Sequence, residues 1–134
     1  MGKYDAVEVQ GPERESLLAG VRDQVAAWGL TMPPVRPLLL HFGLDRFLEI
    51  GEAEFWIADE TEHGYCGKYL FLFDGQTCPY HHHRQKHETF FLVKGALRMT
   101  VDKETRLLHE GNLLAMPPGV GHTFTACVLV GNAD

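Results

Sequence analysis

Cysteine is scarce in this chain of 134 residues: there are three, Cys66, Cys78 and Cys127. An odd, sparse set with no CxxC pair excludes a disulfide framework and predicts reduced thiols packed as small apolar side chains in a cytoplasmic protein. The opening stretch MGKYDAVEVQGPERES has no apolar core of the kind a secretory signal needs. No hydrophobic run approaches the ~18 residues of a membrane span. Positive charge is also in short supply, with 12 Lys and Arg against 18 Asp and Glu and a formal net charge of −6. That balance argues against nucleic acid or an anionic membrane surface as the partner. There is no internal repeat and no low-complexity linker. The expectation is therefore a single domain over 1–134, with a helical extension at 1–34 and a β-rich body at 35–134.

What is present is ordinary globular material, 45% hydrophobic and 22% charged, in a chain long enough to bury a core. Residues 1–10 read as loose. Gly11-Pro12 predicts a helix start, since proline suits the first helical position and Glu13 and Glu15 complement the N-terminal dipole. Leu17, Val21, Val25 and Trp28 recur on one face, and Gly29 is the expected stop. This helix should lie on the outside of the β-rich body.

After Pro37 the pattern changes to short apolar runs divided by turn residues. The runs are Leu38–Phe42, Arg46–Ile50, Glu54–Ala58, Lys68–Phe73, Thr89–Val93, Leu97–Val101, Arg106–His109, Asn112–Met116 and His122–Val130. Turn signals fall between them at Gly43, Gly51, Gly64, Asp74-Gly75, Gly95, Asp102-Lys103, Glu110-Gly111 and Pro117-Pro118-Gly119. Many short strands at close intervals predict an all-β, antiparallel sandwich or barrel, a fold that can hold one ligand in its mouth.

The stretch GQTCPYHHHRQKHETFFLVKG, Gly75 to Gly95, carries the strongest chemistry. His81 and His83 are two apart, so on a strand both imidazoles point to one face while His82 points away. Glu88 begins the next apolar run, and His122 follows the rigid Pro117-Pro118-Gly119 turn. Three imidazoles and one carboxylate can thus converge from three strands, a donor set that suits Mn, Fe, Co, Ni or Zn and suits Mg or Ca poorly. The remaining histidines, His41, His63, His82, His87 and His109, read as solvated or structural.

These residues fall into two patterns. Gly75, His81, His83, Glu88 and Gly95 read G-x5-H-x-H-x4-E-x6-G, and Gly111, Pro117, Gly119 and His122 read G-x5-P-x-G-x2-H. On that basis the chain resembles the cupin superfamily over about residues 68–126. The resemblance implies a jelly-roll (double-stranded β-helix) barrel with a divalent metal at His81, His83, Glu88 and His122. The family pattern often ends with an asparagine where this sequence has Ala126, a position that is not a ligand.

A narrower likeness rests on Tyr65-Cys66-x-Lys68-x-Leu70-x-Leu72-Phe73-x-Gly75-Gln76-Thr77-Cys78-Pro79 leading into His81 and His83, and on Lys86-x-Glu88-Thr89-Phe90. These stretches resemble the D-lyxose isomerases, small cupins that interconvert an aldose and a ketose at a divalent metal, usually manganese, and are commonly dimers. The resemblance implies a sugar substrate and a homodimer, with Glu88 as base and Lys68 and Lys86 as groups that polarise or protonate sugar oxygens. The chemistry suits the ligands, because three His and one Glu on a six-coordinate ion leave two positions for the oxygens of an enediolate. The family continues past its last histidine with a hairpin and an acidic strand; here Thr123–Cys127 runs into Val128-Leu129-Val130. Either Glu88 suffices as base, or a partner chain supplies the group, or sugar is bound without turnover. An iron-dependent dioxygenase on the same four ligands is the alternative enzyme, and a non-catalytic metal-bearing sugar-binding module the alternative of another class. Phe55, Trp56, Tyr69, Phe71, Phe90 and Phe124 are candidates for the barrel mouth or for its core.

Overall fold

Helix α1 spans Gly11–Ala27, with Pro12 in its first turn and Glu13 beside the N-terminus, where the missing amide costs nothing and the negative charge meets the dipole. It ends where expected. Gly29 takes a φ of 73°, its N–H donates to Ala26 O at 2.9 Å, and the Leu30 N–H donates to Val25 O at 3.1 Å. These two bonds close the last turn around a left-handed residue. The buried face differs from the expected stripe, since it is Arg14, Leu18, Val21 and Val25. Leu17 and Trp28 flank it, half-buried. Arg14 is buried because its guanidinium donates to Pro37 O and lies 4.0 Å from the Glu8 carboxylate; apolar periodicity cannot register such a residue.

The structure, a computed structural model, describes residues 2–81 and 84–127. By its contacts it divides into two compact units, Met1–Phe73 and Asp74–Asp134.

In the first unit, β1 (Leu38–Leu40), β2 (Glu52–Glu60) and β3 (Tyr65–Phe71) form an antiparallel sheet in that order. Leu39 pairs with Ala53, and Ala53 with Phe71. This register puts Leu39, Ala53, Phe55 and Phe71 on the face that packs with Leu18, Val21 and Val25. Residues 1–10 are not uniformly loose. Val9 N–H donates to Leu39 O, His41 N–H donates to Val7 O, and Glu8 bridges Leu40, so this segment extends the β1 edge.

The expected strand at Arg46–Ile50 is instead a turn, with the Glu49 and Ile50 amides both donating to Arg46 O at 3.0 Å. Of its apolar residues, Phe47 enters the core while Leu48 is 57% exposed. The run therefore supplies one anchor to the core and no alternating face. Gly51 lets the chain leave this turn, since a Cβ there would lie 2.5 Å from Phe47 O and 2.9 Å from Leu40 O.

The second unit holds β4 (Thr77–His81), β5 (Glu88–Phe91), β6 (Ala96–Val101), β7 (Glu104–Leu108), β8 (Leu113–Met116) and β9 (His122–Cys127). They make a four-stranded sheet in the order β4-β9-β6-β7 and a two-stranded sheet β5-β8. Strand β4 tolerates Pro79 because it is an edge strand, where a lost amide breaks no ladder on its open side. Asp102, with φ 54°, turns β6 into β7 through a two-residue hairpin that pairs Val101 with Glu104. The expected strand His122–Val130 is seen as far as Cys127, and its last three residues lie outside the described residues. The two sheets meet through Phe90 and Phe124, whose rings are 5.3 Å apart and nearly perpendicular. The all-β expectation with an N-terminal helix therefore holds. Among the described residues the strands form three separate sheets, and no hydrogen-bonded ladder closes them into the expected barrel. None of the described helices is long and apolar enough to cross a membrane.

Candidate metal centre

His81 ends β4 and His122 begins β9, and the two are direct cross-strand partners. A direct pair on one sheet face brings side chains close together; here the ring centroids are 4.2 Å apart. Glu88 opens β5 on the facing sheet and puts Oε1 3.5 Å from His122 Nε2. One donor atom from each of His81, Glu88 and His122 lies within 4.8 Å of the other two. Ligands at ~2.0–2.2 Å from a common ion stand up to roughly 4.4 Å apart, so movements of a few tenths of an ångström bring all three into one coordination sphere.

The imidazoles are held by their own backbone. His81 Nδ1 lies 2.8 Å from Pro79 O and His122 Nδ1 lies 3.3 Å from Val120 O. Assigned from these partners, the proton sits on Nδ1 of each ring, and Nε2 carries the ligating lone pair. Thr123 Oγ1 donates to Cys78 O at 2.6 Å, and Thr77 and Thr125 hydroxyls meet at 2.8 Å, tying β4 to β9 just behind the ligands. His122 is 1% exposed. Phe90 stands edge-on to its ring at 6.0 Å. The donor set and its spacing fit a divalent transition ion.

Lys86 joins this group, with Nζ 3.5 Å from Glu88 Oε2. His83, the fourth expected ligand, lies outside the described residues. Lys68 is engaged within the first unit. Its Nζ is 3.0 Å from Glu54 Oε2 and 4.6 Å from the Trp56 ring centre. Trp56 Nε1 also donates to Glu54 at 3.1 Å. Burial pushes the Glu54 carboxyl up, but hydrogen bonding with Glu52, the Lys68 charge and the Lys68 and Trp56 donors together hold it below the ordinary 4.5. Sequence reasoning names Lys68 and misses this cluster. A signal is present, because Glu52, Glu54 and Trp56 alternate along one strand, yet their partner on β3 follows from register, which the alternation does not give.

Of the six aromatics considered for a mouth, Phe90 faces a ligand and Phe124 backs it. Phe55 and Phe71 are core residues of the first unit, Trp56 covers Lys68, and Tyr69 is partly exposed. His41 is structural, its Nδ1 accepting the Gly43 and Asp45 amides.

Residues 69–128 match the family described as a cupin domain. That stretch contains His81, Lys86, Glu88 and His122 together with all of both glycine motifs, so what the chain shares with cupin domains includes the candidate donors. A comparison with curated proteins gave no match. Among solved structures the chain is similar to the one titled "The structure of KdgF from Halomonas sp.", at a TM-score of 0.41 and 15% identity over 74% of this chain. The chain covers 64% of that protein's length, less than two thirds. The finer likeness to D-lyxose isomerases stays with the sequence motifs that carry it.

Proposed function

We propose that this chain is a metal-dependent aldose–ketose isomerase of the D-lyxose isomerase type. His81, His83, Glu88 and His122 would hold one divalent ion, manganese before iron, cobalt, nickel or zinc. The observation that supports this best is the setting of Glu88. One carboxylate oxygen faces the His122 imidazole and the other faces the Lys86 ammonium, each at 3.5 Å. One oxygen can therefore ligate while the other stays available for proton transfer.

Aldose–ketose exchange is redox-neutral. A proton leaves C2 and returns at C1, while a hydroxyl proton passes between O1 and O2. A divalent ion held by His81, His83, Glu88 and His122 would supply positive charge where the two neighbouring sugar oxygens become negative. Glu88 Oε2 takes the C2 proton and delivers it to C1. Lys86, 3.5 Å from Glu88 Oε2, can donate to a sugar oxygen. Phe90 and Phe124 keep water from the His122 side, which strengthens these charge interactions. Lys68 is held by Glu54 and Trp56 within the first unit. The proposed setting is a cytoplasmic homodimer.

The described donors are two imidazoles and one carboxylate, a set also used by non-haem iron oxygenases. That supports an iron-dependent dioxygenase as the second reading. Adding D-lyxose and Mn²⁺ should yield D-xylulose, and His122→Ala should abolish the conversion. Saturable sugar binding with no ketose formed would leave a sugar-binding module. Dioxygen uptake by the iron-loaded protein without sugar binding would sink both sugar readings.

A further inference from the structure

Tyr80 and Gly121 are the residues next to the two metal-site histidines, His81 and His122. Their contact is unusually close. A Cβ placed on Gly121 would lie 1.7 Å from the Tyr80 hydroxyl oxygen, 2.1 Å from Cζ and 2.7 Å from Cε1. The glycine is not explained by its backbone. Gly75, Gly95, Gly111 and Gly119 all have positive φ, and Gly121 is not among these left-handed positions. It is explained by room, because only a residue without a side chain lets the tyrosine ring lie across the start of β9.

The same point is fixed from the other side, where the Asp102 N–H donates to Gly121 O at 2.8 Å. Tyr80 shares an open cleft with Val101, Asp102, Lys103 and Glu104, so its ring lies between edge strand β4 and the β6–β7 turn. Strand β4 needs such a brace. Its pairing with β9 slips between Cys78 and His81, and Pro79 there has no amide to give. An aromatic laid over a neighbouring glycine is a known way to pin strand register.

We propose that Tyr80, seated on Gly121, is a positioning residue that sets the spacing of His81 and His122 for metal binding. This rests on the reading of His81, Glu88 and His122 as metal ligands. The ring itself would not be a ligand. It lies on the outer face of the strand pair whose inner face carries the imidazoles, and it acts by holding the two backbones in register.

The test is titration of the purified full chain with Mn²⁺ and Zn²⁺ by calorimetry, alongside the melting temperature of the metal-free protein. Tyr80→Ala should weaken binding about tenfold or more, the usual size of an outer-shell effect, while the metal-free melting temperature changes little. Tyr80→Phe, which keeps the ring, should bind within about twofold of the unsubstituted chain. Gly121→Ala should weaken binding as Tyr80→Ala does, and the double variant should be no worse than either, because both remove one contact. Undiminished metal affinity in folded Tyr80→Ala would overturn the inference while leaving the metal site standing. Equal weakening by Tyr80→Phe would overturn it too, by moving the effect to the hydroxyl. If the unsubstituted chain binds neither ion, the metal site itself fails and the inference with it.

Discussion

Glu54 shows how much of a residue's behaviour depends on a neighbour that the sequence does not reveal. It is 5% exposed yet acidic, because Glu52, Lys68 and Trp56 supply enough hydrogen bonding and charge to outweigh burial. A carboxyl whose folded pKa is lowered stabilises the fold fully above its unfolded value, near 4.5, and this contribution is lost as pH falls through the folded pKa. Glu54→Gln should therefore cost about 1.5–3 kcal/mol at pH 7, the range for a hydrogen bond to a charged group. Urea titrations should show the difference from the parent shrinking below pH 4.5. A gap that stayed constant down to about pH 3 would count against the assignment. The candidate metal ligands are legible for the opposite reason. His81, Glu88 and His122 stand at spacings that the motif fixes, and a strand's two-residue period then aligns them. Glu54 and Lys68 stand on two strands, and nothing short of the register joins them.

At the scale of elements, α1 and its stop are readable because proline, acidic residues and glycine act locally, within one turn. Its buried face is harder to read, since a buried arginine satisfied by Pro37 O and Glu8 looks polar to any hydrophobic pattern. Arg46–Ile50 imitates a strand because Phe47 and Leu48, adjacent apolar residues, belong to a turn with one side chain inward and one outward. Strand β4 is legible from its histidines alone, for Pro79 conceals it. The packing of α1 on the sheet centres on Phe55, which is 1% exposed. Phe55→Ala should destabilise the protein by about 3–5 kcal/mol, read as a lower urea midpoint with an unchanged slope.

For the whole molecule, the succession of short strands implies an all-β body, since turn residues mark each reversal. It does not imply how the described residues divide among three sheets, because which strands pair is decided by long-range contacts. An apolar edge at Cys127–Val130 would favour the proposed homodimer, but most of it lies outside the described residues, and the stripe of α1 is buried in its own unit. A better basis is the outer face of the β5–β8 sheet. Phe91 and Leu113 are cross-strand partners, 57% and 69% exposed, a pair of large apolar side chains that a second copy would cover. Leu113→Glu should shift the sedimentation of a micromolar sample from dimer to monomer. A parent protein that is already monomeric would remove the dimer from the proposal.

The Asp102-Lys103 turn has a consequence for how this chain can change in length. A hairpin tip is ordinarily where extra residues are absorbed at little cost. This tip is tethered, since the Asp102 amide holds the carbonyl of Gly121, whose next neighbour is a metal-site histidine. An insertion there would pull on the ligand from 20 residues away, the separation of Asp102 and His122. The exposed turn at Thr61–His63 joins β2 to β3, neither of which carries a candidate ligand, and is the place where a longer loop or an appended label can be carried.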